Sequence, residues 1–202
     1  MAKLPIENRA FTQIKEVREN TDSNSVTVQG YATTYGSSYP VYGGPDAGGW
    51  NETIARGAAK KSLSENADVR FLINHDGLPL ARSTSGTLTL EDDEIGLFSE
   101  ATLDMANPKA QEVKSVLSRG DADQMSFAFR VVRQEWNDQR TERIIREVEL
   151  LDVSVVTYPA NPATQIGLRD QILADAESRA TPEPVSTPNL DSIRDLIAAV
   201  KK

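Results

Sequence analysis

Met125-Ser-Phe-Ala-Phe-Arg-Val-Val132 is the stretch whose reading decides the fold. Large aromatic rings fall at 127 and 129, and small or polar residues at 126, 128 and 130. That two-residue period belongs to a strand with one face in a core, so Phe127 and Phe129 are expected inside and Ser126, Ala128 and Arg130 on the opposite face. The same period, or a short unbroken apolar run rich in Val, Ile, Thr and Phe, recurs at residues 25–32, 69–73, 86–90, 97–103 and 144–156. The fold class expected is α+β, a mainly antiparallel β-barrel or curved sheet with flanking helices.

Two stretches carry helical spacing instead. Residues 51–65 place Ile54, Ala58 and Leu63 on one stripe, and residues 108–119 do the same with Ala110, Val113, Val116 and Leu117. Asn107-Pro108 supplies a cap and a first-turn proline for the second helix, and Gly120 closes it. Residues 35–49, heavy in Gly, Ser, Tyr and Pro, read as one long loop. Glu91-Asp-Asp-Glu94 reads as a charged hairpin connection rather than an acid–base pair.

The chain has 202 residues, 39% of them hydrophobic and 26% charged, enough for one good core with appendages. The expected division is a domain over 1–170, followed by a flexible C-terminal tail over 171–202. In that tail Ser178 to Pro188 holds three prolines and reads as an extended linker. Leu190, Ile193, Leu196, Ile197 and Val200 then form the stripe of a short amphipathic helix that needs a surface to cover it, its own domain's or a partner's.

Formal net charge is −8, which repels phosphate backbones, so no nucleic-acid partner is expected. No apolar run approaches the roughly 20 residues of a membrane span, and Met1 to Phe11 lack the apolar stretch of a secretory signal. With no cysteine and one histidine, disulfides, thiol nucleophiles and a zinc site are not expected, and no metal or cofactor is called for.

Near-neutral proton transfer by a side chain of ordinary acidity needs histidine, which leaves His75 alone as a candidate base. It ends the run Phe71-Leu-Ile-Asn-His and precedes Asp76-Gly77, where a strand leaves its sheet and turns. Ser126 is a candidate nucleophile because it stands as a small polar residue inside a strand of aromatics. Asp152, set in Leu150-Leu-Asp-Val-Ser-Val-Val156, is a candidate third group, since a carboxylate among apolar residues is costly without a hydrogen-bonding neighbour. Plain alternation puts Glu147 and Glu149 on the face opposite Asp152, and Glu149 ranks second as the acid. Each residue also has a plainer reading: a surface or core histidine, a solvent-facing serine, an aspartate capping a turn or paired with an arginine.

The order and wording of these pieces resemble the caudovirus prohead protease family, whose fold is related to the herpesvirus assemblin proteases. The resembling pieces are Glu7-Asn-Arg-Ala-Phe11, Val28-Gln-Gly-Tyr-Ala32, Glu52-Thr-Ile-Ala-Arg-Gly-Ala58, Leu72-Ile-Asn-His-Asp76, Gly96-Leu97, Gln124-Met-Ser-Phe-Ala-Phe129, and Leu150-Leu-Asp-Val-Ser154 running into Tyr158-Pro-Ala-Asn-Pro162. Together they cover about residues 6–168. The resemblance implies a herpesvirus-protease-like fold and a serine endopeptidase with Ser126 as nucleophile, His75 as base and Asp152 completing a triad. Assemblins use a second histidine as third member, which this chain lacks. The resemblance further implies a major capsid protein or scaffold domain as substrate, action inside the prohead assembling in the host cytoplasm, and self-cleavage; a homo-oligomer is left open. The competing reading is a catalytically inactive capsid-assembly or scaffold module on the same fold.

Overall fold

The computed structural model describes residues 5–157. The expected boundary at 170, the Ser178 to Pro188 linker, the Leu190 to Val200 helix and Tyr158-Pro-Ala-Asn-Pro162 lie outside the described residues. The described residues form ten strands: β1 (Glu7–Asn20), β2 (Ser25–Thr34), β3 (Ser38–Val41), β4 (Trp50–Ile54), β5 (Arg70–Ile73), β6 (Asp76–Arg82), β7 (Leu88–Asp92), β8 (Gly96–Asp104), β9 (Gln124–Trp136) and β10 (Glu142–Val156). Among the described residues the α-helices are α1 (Lys60–Ser64) and α2 (Pro108–Arg119), with three short 3-10 turns elsewhere.

The strands form one sheet in the order β3-β4-β10-β9-β1-β2-β8-β7, with the β5–β6 hairpin attached to β10 beside β4. Pairing is antiparallel throughout, except that β10 runs parallel to β4 along Glu142 to Ile145 and parallel to β5 along Asp152 to Val155. The mixed, mostly antiparallel α+β class is as expected, but the sheet is open and the barrel alternative is corrected. Closure requires the two ends of the ladder to meet. Here the path ends in strands of four and five residues, β3 and β7, which do not pair with each other.

Phe127 and Phe129 enter the core as the alternation requires, their rings stacked with centroids 4.5 Å apart among Val28, Phe71, Leu97 and Val153. α2 occupies its expected bounds. The Asn107 side chain accepts from the Lys109 N–H, Ala110 and Val113 are buried, and Gly120 takes the left-handed conformation that ends the helix.

Two expectations fail. Residues 51–65 do not form one helix. Trp50, Glu52 and Ile54 alternate inward as strand β4, Gly57 at φ +76° breaks the helical path, and only Lys60 to Ser64 coil. Nor is 35–49 all loop, because Ser38 to Val41 pair with β4. β1 was not legible as a strand, since its 14 residues are mostly polar or charged. It nevertheless sits mid-sheet, pairing with β9 on one edge and β2 on the other.

Candidate active site

His75 is delivered by a two-residue turn. Ile73 pairs with Asp76 across the β5–β6 hairpin, and Asn74 and His75 between them have φ of 52° and 60°. Positive φ at both central positions is the type I′ geometry that suits the right-handed twist of a hairpin. Asparagine adopts it readily, whereas for histidine it costs about 1–3 kcal/mol that the surroundings must hold. They do so from the end of β10: Asn74 N–H donates to the Val155 carbonyl (2.9 Å), and Thr157 N–H donates to Asn74 Oδ1 (3.0 Å).

Ser126 lies mid-strand in β9, with Ala10 of β1 opposite it on one side and Ser154 of β10 on the other. It is on the face opposite Phe127 and Phe129, as expected, but is fully buried rather than solvent-facing. Asp152 follows an irregularity in β10. Leu150 is opposite Phe129 and Asp152 opposite Ala128, so Leu151 is an extra residue and the inward–outward alternation changes phase. This brings Asp152 and Ser154 onto the face of Ser126.

The three residues meet there. His75 Nδ1 is 2.6 Å from Asp152 Oδ1, and His75 Nε2 is 2.7 Å from Ser126 Oγ. An ionised carboxylate can only accept, so Nδ1 carries the proton and Nε2 presents a lone pair to the serine hydroxyl. The imidazole is 14% exposed and the carboxylate 12%, so water screens the pair little. Two further groups touch the site. Ser154 Oγ lies 2.8 Å from Asp152 Oδ1 and 3.2 Å from His75 Nδ1. The Arg9 carbonyl is 2.8 Å from Ser126 Oγ, a second acceptor for the one hydroxyl proton.

The same phase change corrects the reading of Glu149. It is opposite Arg130 and therefore on the Asp152 face, not behind it. There it pairs with the Arg130 guanidinium (Nη1 to Oε1, 3.0 Å), which leaves Asp152 as the carboxylate against His75. Arg130 is buried as well, and its Nε–H finds no acceptor among the described residues.

Arg9 links the site to a buried ionic cluster that sequence reasoning missed. Its guanidinium donates to Glu52 Oε1 (2.6 Å) and Glu7 Oε2 (2.8 Å), while Arg143 donates to Glu7 through both Nη atoms (2.7 and 2.9 Å) and to Glu52 Oε2 (2.8 Å). Tyr39 OH and Trp50 Nε1 also donate to Glu52, and the Arg143 guanidinium lies against the rings of Trp50 and Trp136. Burial alone would raise the Glu52 carboxyl, but the charges of Arg9 and Arg143 outweigh it and hold the group down at about 2. Burial, reinforced by the Glu52 charge, pushes the Tyr39 hydroxyl well above its ordinary value. One available signal was that Glu7-Asn-Arg9 and Glu52 stand in two of the family-like pieces although neither carries site chemistry.

A hydroxyl, an imidazole and a carboxylate linked in series on a mixed sheet define a hydrolase-type constellation. The sequence pattern of the caudovirus prohead serine proteases matches residues 13–178, and the chain belongs to that family. It is 28% identical over 150 residues to the prohead protease of Enterobacteria phage HK97, covering 72% of this chain and 61% of that protein, so it spans less than two thirds of that relative's length. Its fold is similar to that of the bacteriophage T4 capsid assembly protease, with a TM-score of 0.54 at 10% identity over 77% of this chain and 99% of that one.

Proposed function

We propose that this chain is a serine endopeptidase of phage head assembly, with Ser126 as nucleophile, His75 as general base and acid, and Asp152 as the group that orients the imidazole. The observation that carries the reading is the unbroken contact series Asp152 Oδ1, His75 Nδ1, His75 Nε2, Ser126 Oγ at 2.6 and 2.7 Å, assembled from residues 77 and 51 positions apart. In the reaction, the Ser126 proton passes to Nε2 as Oγ bonds to the peptide carbonyl carbon. The imidazolium then returns that proton to the leaving amine as the C–N bond breaks. Water, deprotonated by the same nitrogen, hydrolyses the acyl-serine. Asp152 stabilises the imidazolium throughout without taking its proton.

The substrates fitting this reading are a major capsid protein or a scaffold domain inside the assembling prohead, in keeping with the names of the HK97 and T4 proteins. Self-cleavage between Asp170 and Pro188 belongs to the same proposal. The competing inactive module predicts no cleavage by any variant. Mass spectrometry of capsid and scaffold proteins incubated with the wild-type chain, Ser126→Ala and His75→Ala decides between them. Each substitution is expected to reduce cleavage about a thousandfold or more. Equal cleavage by Ser126→Ala ends the serine-protease reading.

A further inference from the structure

We propose that Ser154 is a positioning residue of this site, which locks both the carboxylate rotamer and the imidazole tautomer. The inference rests on the proposed protease reading and extends it to a fourth side chain. Ser154 is fully buried and directly opposite Ser126 across the β9–β10 ladder, two residues beyond Asp152 on the same face. Its Oγ is in contact with both members of the neighbouring pair, 2.8 Å from Asp152 Oδ1 and 3.2 Å from His75 Nδ1.

Proton counting assigns each contact a direction. A carboxylate has no proton to give, so the Ser154 hydroxyl donates to Asp152 Oδ1. That hydroxyl has one proton, and once it is committed the lone pairs of Oγ face Nδ1. The Nδ1–H is therefore shared between Asp152 Oδ1 and Ser154 Oγ. The opposite tautomer would set an Nδ1 lone pair against a carboxylate oxygen 2.6 Å away and against the Ser154 lone pairs, both repulsive. The arrangement keeps Nε2 bare toward Ser126, where the base is needed. The second hydrogen bond on Oδ1 also stops the short aspartate side chain from rotating away, and Ser154 Oγ adds a second acceptor for the Nδ1–H of the imidazolium formed during turnover. A buried strand serine with a merely structural role would only need its hydroxyl satisfied.

The chain has one histidine, so a downfield imidazole N–H resonance in the proton NMR spectrum of the full chain can come only from His75. We expect Ser154→Ala to move that resonance and Asp152→Asn to abolish it. Ser99→Ala, a buried serine whose Oγ donates to the Gly30 carbonyl, should leave it in place. With a capsid-protein precursor as substrate, Ser154→Ala should lower kcat about ten- to a hundredfold, the scale of one hydrogen bond to a charged group, with KM held within about twofold. Ser99→Ala should retain wild-type kcat. A Ser154→Ala chain with the wild-type resonance and the wild-type kcat overturns the proposal. If the wild-type chain cuts nothing, the protease reading fails, and an unmoved resonance in Ser154→Ala then overturns the hydrogen-bond assignment independently.

Discussion

Glu52→Gln is the sharpest test of what holds β1, β4 and β10 together. Glu52 is wholly buried and accepts from Arg9, Arg143, Tyr39 and Trp50. In the cluster two arginines balance two glutamates. Glutamine keeps the shape but removes one negative charge, leaving two buried guanidinium groups against Glu7 alone. Removing one partner of a buried ion group costs about 3–5 kcal/mol. For a chain of this size that is a fall in Tm of about 6–20 °C, and a large part of the about 5–15 kcal/mol that holds a typical domain folded.

Proton linkage at Glu52 points to a similar magnitude. The Glu52 carboxyl falls from 4.5 to about 2 on folding, which corresponds to about 3 kcal/mol of linkage. A depressed carboxyl stabilises the fold above its unfolded value, and that contribution is lost as pH drops from about 4.5 toward 2. Urea unfolding of the full chain at pH 7, 5, 4 and 3, wild type beside Glu52→Gln, separates this group from other carboxylates that titrate in both proteins. The two stabilities should differ most at pH 7 and converge as the solution is acidified. A Glu52→Gln protein within about 1 kcal/mol of wild type at pH 7, or a difference that does not shrink by pH 3, would refute the reasoning.

Asp152→Asn is expected to reduce turnover far more than Glu149→Gln, because Asp152 contacts the imidazole while Glu149 spends its carboxylate on Arg130; steady-state cleavage rates of the two variants give the ranking, and the reverse order would sink the assignment. Asn74→Val should impair both folding and cleavage, since a β-branched residue resists φ near 50° and cannot accept the Thr157 N–H; a melting curve and a cleavage assay unchanged from wild type would count against the turn's role. Truncation after Leu168 should leave peptidase activity but weaken incorporation into assembling capsids, as read by cleavage in solution and by co-sedimentation with proheads. The full chain should trim itself between Asp170 and Pro188, and an intact tail during active substrate cleavage would contradict this.

Much of the sheet was legible where burial is apolar and one-sided. β2, β5, β8, β9 and β10 announce themselves through Val, Ile and Phe at period two, and α2 through its Asn-Pro start and Gly stop. Illegible were the strands whose inward groups are charged. β1 buries Glu7 and Arg9, and β4 buries Glu52 beside Trp50, so the hydrophobic pattern that identifies a strand is missing from one and reads as a helical stripe in the other. Apart from Arg9 and Glu7, which are two residues apart, the ion pairs of the cluster join residues 43 to 136 positions apart, and no local window contains them. The site shows the same division. His75, Ser126 and Asp152 each stood out by being chemically wrong for their surroundings; Ser154, between Val153 and Val155, carries the same signal but was not read, and the Arg9 carbonyl, a backbone group, has nothing in the sequence to mark it.

The irregularity at Leu151 explains how Asp152, one of four acidic residues in β10, comes to face His75. Without it, Leu150 and Asp152 would share a face, and Asp152 would turn into the core with Leu150, Phe127 and Phe129, where a carboxylate has no partner. One extra residue shifts the phase, so that Leu150 and Val153 point into the core while Glu149, Asp152 and Ser154 point to the other face. The same strand takes β4 as its parallel neighbour before the irregularity and β5 after it. The parallel pairing with β5 brings the Asn74-His75 turn level with the end of β10, and the antiparallel pairing with β9 sets Ser126 opposite Ser154. The spacing between Ser126, His75 and Asp152 is thus set by backbone ladders on both edges of β10, and side-chain packing has only to choose the rotamers.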